Sequence, residues 1–242
     1  MKIKILTLFP AMFEGILGES ILKRAMDKKV CSVELIDMRN YSLDKHHHVD
    51  DTPYGGGAGM VLACDVVHRA ILANQTEKTY KILLTPQGTL YHDKKARKLA
   101  QKEEIMLICG HYEGFDERIR SYVDEEISIG DYVLTGGELA AAIICDSVIR
   151  LLDSAIKEES HEDDSFANGL LEYPQYTRPY SYEGQQVPDV LVNGNHKLIE
   201  AYRKKESLRK TYLRRPDLLI HYPFSDEEKK LFKEVIEEEQ EK

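Results

Sequence analysis

IMLICGHYEGFDER, Ile105 to Arg118, followed after four residues by VDEEISIGDYVLTGGEL, Val123 to Leu139, is the stretch from which the fold can be read. Residues 105–109 and 123–129 are short apolar runs, too short for a buried helix, and each breaks into a glycine-containing turn. In the first run every residue is apolar, whatever its parity, which is the pattern of a strand covered on both faces. After Gly136 and Gly137 the apolar spacing becomes helical over 138–152. Strand, turn, strand, turn, helix is the grammar of an α/β domain with a parallel sheet.

Working outward, further strands are expected at residues 3–8, 33–37 and 80–85, with helices over 12–27, 64–74 and 93–102 between them. Beyond Leu152 the periodicity stops in an acidic stretch containing Glu158, Glu159, Glu162, Asp163 and Asp164, which reads as a mobile linker over 158–172. Residues 196–213 and 225–238 then read as helices, the second with Ser225 and Glu228 at capping-box spacing. The expected division is therefore an α/β domain over 1–157, the linker, and a small all-helical domain over 173–242.

The 242-residue chain is 42% hydrophobic, enough to fill a core without help from disulfides. Cys31, Cys64, Cys109 and Cys145 have no paired spacing, which argues against a zinc site and an extracellular disulfide framework and suits a reducing cytoplasm. No apolar run approaches membrane-spanning length, and the Met1–Phe9 segment is too short for a signal sequence. The net charge of −9 argues against a surface that binds nucleic acid everywhere. Yet Lys197, Arg203, Lys204, Lys205, Arg209, Lys210, Arg214 and Arg215 are opposed only by Glu200 and Glu206 in their stretch, and the tail after Ser225 is acidic. That local basic helix is a candidate phosphate-binding face, or simply a solvated one.

Three turns carry the strongest hint of a ligand: LTPQG (Leu84–Gly88), CGHYEGFDER (Cys109–Arg118) and SIGDYVLTGGE (Ser128–Glu138). Each follows a strand, where parallel sheets bind ligands. Tyr132, Val133 and Leu134 could grip an adenine ring, and the helix beginning at Glu138 would offer free N–H groups to an anion. The glycine-rich DDTPYGGGAGM, Asp50–Met60, fits neither the dinucleotide nor the P-loop spacing; taken alone it reads equally as a flexible surface loop or as backbone that approaches a ligand or another chain closely. The histidines His46 to His48 read as a polar loop, since adjacent side chains diverge in extended backbone. Metal ligands are therefore not assigned.

Taken in order, LFP (Leu8–Pro10), DDTPYGGGAGM, LTPQG, CGHYEGFDER, SIGDYVLTGGEL, DDSF (Asp163–Phe166), YTRP (Tyr176–Pro179), GNH (Gly194–His196) and LRRPDLL (Leu213–Leu219) resemble the bacterial tRNA (guanine-N1)-methyltransferases, within the SPOUT superfamily. The resemblance implies a parallel α/β domain with a deep C-terminal trefoil knot, and a homodimer with its active sites at the subunit interface. It implies S-adenosylmethionine held by Leu84, Pro86, Gly88, Gly110, Tyr112, Glu113, Gly114, Ser128, Ile129, Gly130, Asp131, Tyr132, Val133, Leu134, Gly136 and Gly137. The reaction implied is methyl transfer to N1 of guanosine 37 in tRNA, with Asp164 as general base and Arg150 stabilising charge on O6.

By the same resemblance Ser165, Lys197, Arg203, Arg209, Arg214 and Arg215 meet tRNA. Mg2+ is a candidate ion for the reaction, with Glu113 contacting it or the cofactor's amino group. Glu172 and Gln175 stand where family members often carry aspartate and histidine, so they receive no role. The competing expectations are a SPOUT enzyme for another RNA and a non-catalytic RNA-binding protein; the Asp163–Ser165 motif favours a base nitrogen that must lose a proton.

Overall fold

The computed structural model describes residues 1–155 and 164–241. The chain forms two compact units, Met1–Glu158 and Glu159–Lys242. In the first, β1 (Lys2–Thr7), β2 (Ser32–Asp37), β5 (Thr79–Leu90), β6 (Glu104–Cys109) and β7 (Glu125–Ser128) build one sheet in the order β2-β1-β6-β5-β7. Every pairing in it is parallel. A separate antiparallel pair joins β3 (Asp50–Asp51) to β4 (Val61–Leu62) across the glycine-rich loop.

Both faces of the sheet are covered, which explains the unbroken apolar runs. Ile105, Leu107 and Cys109 of β6 face one core with α2 (Ser20–Asp27), α4 (Asp93–Ala100) and α5 (Glu138–Ile149). Met106 and Ile108 face the other, against Val66, Val67, Ala70 and Ile71 of α3 (Cys64–Asn74). All five of these β6 side chains are fully buried. Burying one such aliphatic side chain is worth about 1.5–3 kcal/mol, so the sheet is the main source of stability in this unit.

Two differences from the sequence expectation stand out. The helix expected over 12–27 is broken: a 3-10 turn, α1 (Glu14–Leu17), then α2, with Gly18 closing the first and Glu19 extended. Glycine is a poor helix interior residue and lets the chain stop there. Strand β5 does not end at 85 but resumes, so Ile127 of β7 pairs with both Leu84 and Thr89 while residues 85–88 form an excursion between them. Lys4, on β1, has a setting that its sequence neighbours do not signal. It is buried, donates to Glu104 Oε1 at 3.0 Å and to the Asn74 carbonyl, while Thr76 and Thr79 hydroxyls also reach Glu104. These extra partners meet the hydrogen-bonding needs of a charged pair taken out of water.

The second unit holds α6 (His196–Arg214) against α7 (Asp226–Gln240), and Leu208, Thr211 and Val235 of these helices are fully buried. Asn195 caps α6, and Ser225 with Glu228 forms the expected capping box on α7. A short hairpin, β8 (Ser181–Tyr182) with β9 (Gln185–Gln186), makes this unit more than helices alone. Residues 158–163 of the expected linker lie outside the described residues. Residues 164–172 are anchored rather than loose: Leu170 is fully buried, the Leu171 N–H donates to Thr211 Oγ1 at 2.9 Å, and Ser207 Oγ donates to the Leu171 carbonyl.

Helix α5 starts close against the end of β6 at Gly137, where an added Cβ would lie 2.7 Å from Cys109 Cα and 2.9 Å from the Gly110 nitrogen. Gly137→Ala is expected to destabilise the chain by about 1–3 kcal/mol through overpacking, whereas Gly15→Ala, in open space on α1, should leave stability unchanged or raise it. Melting temperatures of the two variants check this; equal melting would refute the close packing at Gly137.

Candidate active site

Strands β6, β5 and β7 are neighbours and parallel, so their C-terminal ends lie side by side. The excursion 85–88, the turn 110–116 and the segment 129–137 all leave from that one edge. The structure thereby brings together every cofactor-binding residue expected from the sequence in the first unit: Leu84, Pro86 and Gly88; Gly110, Tyr112, Glu113 and Gly114; Ser128 through Leu134; Gly136 and Gly137. Leu84 and Ser128 are buried, whereas Tyr132, Val133 and Leu134 are exposed, with Val133 84% accessible.

The turns are tied to one another by backbone. The Gly137 N–H donates to the Gly110 carbonyl at 2.7 Å, and His111 bridges to Gly136. This modifies one expectation: the Gly137 N–H at the start of α5 is already used, so it is not free for an anion. Tyr112 adopts a left-handed φ of 58°, unusual for a residue with a side chain, and the Gly114 N–H closes the turn onto the His111 carbonyl. Ser128 Oγ donates to the Gly130 carbonyl at 3.0 Å, and Tyr132 OH reaches the Ile129 carbonyl at 3.3 Å.

The glycine-rich loop has a definite place. The Glu113 N–H donates to the Met60 carbonyl at 3.0 Å, the Leu62 N–H to the Gly114 carbonyl at 2.9 Å, and the Asp116 N–H to the Leu62 carbonyl. So the far end of Asp50–Met60 is stitched to the turn that carries Tyr112 and Glu113. Arg118 grips Asp116 with two hydrogen bonds and holds that carboxyl below its ordinary range.

Two residues at this edge were not singled out from sequence. Glu138 is buried and its Oε1 accepts from Thr7 Oγ1 at 2.7 Å. His111 packs against Phe9 and Tyr112, with both pairs of ring centroids 4.8 Å apart, and its Nδ1 is buried without a hydrogen-bond partner among the described residues. A lone histidine in a glycine turn gives no periodic signal, and Thr7 is 131 residues from Glu138; only the fold joins them. Burial pushes the Cys109 thiol well above its usual range and raises that of Cys145 to about 12. Neither suits thiolate chemistry near neutral pH. Of the clustered histidines, His47 turns toward the Arg39 carbonyl, while the His46 and His48 rings lie 5.7 Å apart and His48 pairs with Asp44.

Arg150 caps α5, its N–H donating to the Asp146 carbonyl. It therefore stands at the opposite end of that helix from Gly137, about 20 Å away by helical rise. Asp164 and Ser165 belong to the second unit, where Ser165 Oγ accepts from the Glu172 N–H at 3.0 Å and Gln175 donates to Glu172. Asp163 lies outside the described residues.

A family model described as tRNA (Guanine-1)-methyltransferase TrmD matches residues 1–221. The chain belongs to this family. Among curated relatives, a tRNA (guanine-N(1)-)-methyltransferase of Geobacillus kaustophilus is 56% identical over 238 residues, covering 97% of this chain and 98% of its own length. Proteins of the same name from Bacillus licheniformis and Macrococcus caseolyticus are 56% and 55% identical, covering 97% and 95% of this chain and 98% and 96% of theirs. Likeness on this scale extends through both units. The matched residues include all three turns and end before α7.

The basic helix is less open than its sequence suggests. Arg209 pairs with Glu206, Glu238 and Glu239, Lys205 with Glu234 and Glu238, Lys204 with Glu228, and Arg215 with Asp217. Lys197, Arg203, Lys210 and Arg214 make no ion pair among the described residues, and Lys197 and Arg214 are exposed. Lys205 and Arg209 in turn hold the Glu238 carboxyl down at about 2. Among the described residues no helix is long and apolar enough to cross a membrane.

Glu228 has a similarly depressed pKa of about 2: burial pushes it up, but hydrogen bonds from Ser225, Tyr222 and Lys204 outweigh that. A carboxylate whose pKa is lower folded than unfolded stabilises fully above its unfolded value and loses that contribution as pH falls through the folded one. The melting temperature should therefore fall as pH drops from roughly 4.5 toward 2. Glu228→Gln should lower it at pH 7 and flatten this part of the curve; an unchanged slope would detach the capping box from acid stability.

Proposed function

We propose that this chain transfers a methyl group from S-adenosylmethionine to N1 of guanosine 37 in tRNA, acting as a homodimer in the cytoplasm. The observation that carries the proposal is the meeting of three turns at the C-terminal ends of neighbouring parallel strands, in a chain whose family and near relatives are named for guanine-N1 methylation of tRNA. In this reading residues 1–157 form the catalytic domain, knotted through these turns, and residues 173–242 bind tRNA.

The residues present suit the cofactor. Exposed Tyr132, Val133 and Leu134 offer apolar area for an adenine ring, and the unpartnered Nδ1 of His111 marks unused polar capacity at the same edge. Bound there, S-adenosylmethionine supplies a methyl group on an already activated sulfonium. Glu113 is exposed on its turn, free to face the cofactor's amino group; no step is assigned to Mg2+.

The protein's own work is on guanine. N1 carries a proton at neutral pH and attacks only after losing it, so the Asp164 carboxylate takes that proton while the Arg150 guanidinium stabilises negative charge gathering on O6. Holding N1 in line with the methyl group is the remaining contribution. The placement of Arg150 a helix length from the turns of its own chain supports assembly between two copies. Leu139 and Ile143 on α5, and Met12 and Ile16 in the segment that follows β1, expose apolar area that a monomer gains nothing by showing to water. A second copy packed there with its α5 reversed brings its own Arg150 toward Gly137.

Labelled cofactor and tRNA transcripts differing only at position 37 test the reading: label is expected with guanosine and not with adenosine, and no label in either would overturn it. Asp164→Ala should slow single-turnover transfer by roughly 10²- to 10⁴-fold; an unchanged rate would remove Asp164 from the mechanism. Ile143→Lys should convert dimer to monomer in sedimentation and abolish transfer, and an active monomer would refute the shared site.

A further inference from the structure

The second unit contains a cleft of about 570 Å3 formed wholly by its own residues. Its size falls in the range of small-ligand sites. Tyr173, Tyr176 and Tyr180 line it, together with Arg178, Arg203 and the exposed Val192. No carboxylate is among its lining residues. The Arg203 guanidinium lies over the Tyr173 ring, 4.8 Å from its centroid, and its Nε is buried without a hydrogen-bond partner among the described residues. Tyr180 is fixed by its hydroxyl, which donates to Asp189 at 2.6 Å, and Tyr176 shares a hydrogen bond with Tyr202.

This contrasts with the rest of α6. Lys204, Lys205 and Arg209 have their charges met by carboxylates of α7 and of α6 itself, whereas Arg178 and Arg203 make no ion pair among the described residues. A cleft with aromatic walls and two guanidinium groups is matched by a planar ring carrying an anion. A free phosphate would not use the tyrosines, and a neutral ring would not use both arginines. Single-stranded RNA offers that combination wherever a base leaves its stack.

We propose that this cleft takes one nucleotide unstacked from the tRNA substrate, its base lying on the tyrosines and its phosphate met by Arg203 and Arg178. The proposal rests on the tRNA reading above and adds a second point of nucleotide capture, built from residues of the second unit. Arg203 is then not one more cation on a helix face but part of a base-binding cleft, and recognition depends on single-strandedness as well as charge.

Full-length protein is titrated with two RNA probes of equal charge: a tRNA anticodon-arm hairpin, whose loop is single-stranded, and a fully paired duplex. Tyr180→Ala should weaken hairpin binding roughly tenfold, the scale of one lost base–aromatic stack, and leave duplex binding unchanged. Tyr180→Phe, which keeps the ring, should retain hairpin affinity. Val192→Glu alters an exposed position, so folding is preserved, and should weaken the hairpin selectively by placing a negative charge in the cleft. Equal losses for both probes, or no loss of hairpin affinity in either Tyr180→Ala or Val192→Glu, would overturn the proposal. If the unaltered protein still labels guanosine-37 transcripts in that case, the cleft assignment alone falls. If it labels no transcript and binds neither probe, the tRNA reading falls with it.

Discussion

Strand β5 is hydrogen bonded on one side to β6 and on the other to β7, with both neighbours running in its own direction. Parallel strands cannot be joined by a tight hairpin, so each must be left by a turn and re-entered from the opposite end of the sheet. The consequence is geometric: three turns far apart in sequence are delivered to one edge. Their mutual backbone bonds, Gly137 to Gly110 and His111 to Gly136, are possible only because of that delivery. Gly137 then lets α5 start against the end of β6, at a separation that even a methyl group would violate.

Much of this was legible in the chain, and the reasons differ by element. Strands β1, β2, β6 and helices α3 and α6 lie within a residue or so of their expected limits, because burial on one or both faces imposes a period that composition records. The capping box on α7 was visible because it is a contact between residues three apart. What stayed hidden depends on partners distant in sequence. Nothing local marks Lys4 as buried; its partner Glu104 lies 100 residues away. The return of β5 after residue 88 is decided by Ile127, not by Pro86 or Gly88. The break at Gly18 was the exception, a local signal overridden in the expectation by the apolar spacing around it.

The site shows the same division. Residues of the three turns could be grouped by sequence because glycine-rich turns after strands are a local pattern. His111, Glu138 and Thr7 could not, since their relation exists only where β1, β6 and α5 converge. The roles proposed for Asp164 and Arg150 come from the resemblance of motifs alone, since neither residue advertises one by its neighbours. In this chain they belong to different units, Arg150 closing a helix of the first and Asp164 opening the described part of the second.

Helix α7 lies beyond the residues matched by the family model, yet it decides what the basic helix can do. Its Glu234, Glu238 and Glu239 are tethered beside Lys205 and Arg209. A tethered group acts at an effective concentration set by its linkage, not by the bulk solution. An incoming RNA phosphate at Arg209 must therefore displace carboxylates that are always present, whereas at Lys197 or Arg214 it displaces only water and mobile ions. The second unit thus sorts its own cations into those that fasten helix to helix and those whose occupancy follows the surrounding electrolyte.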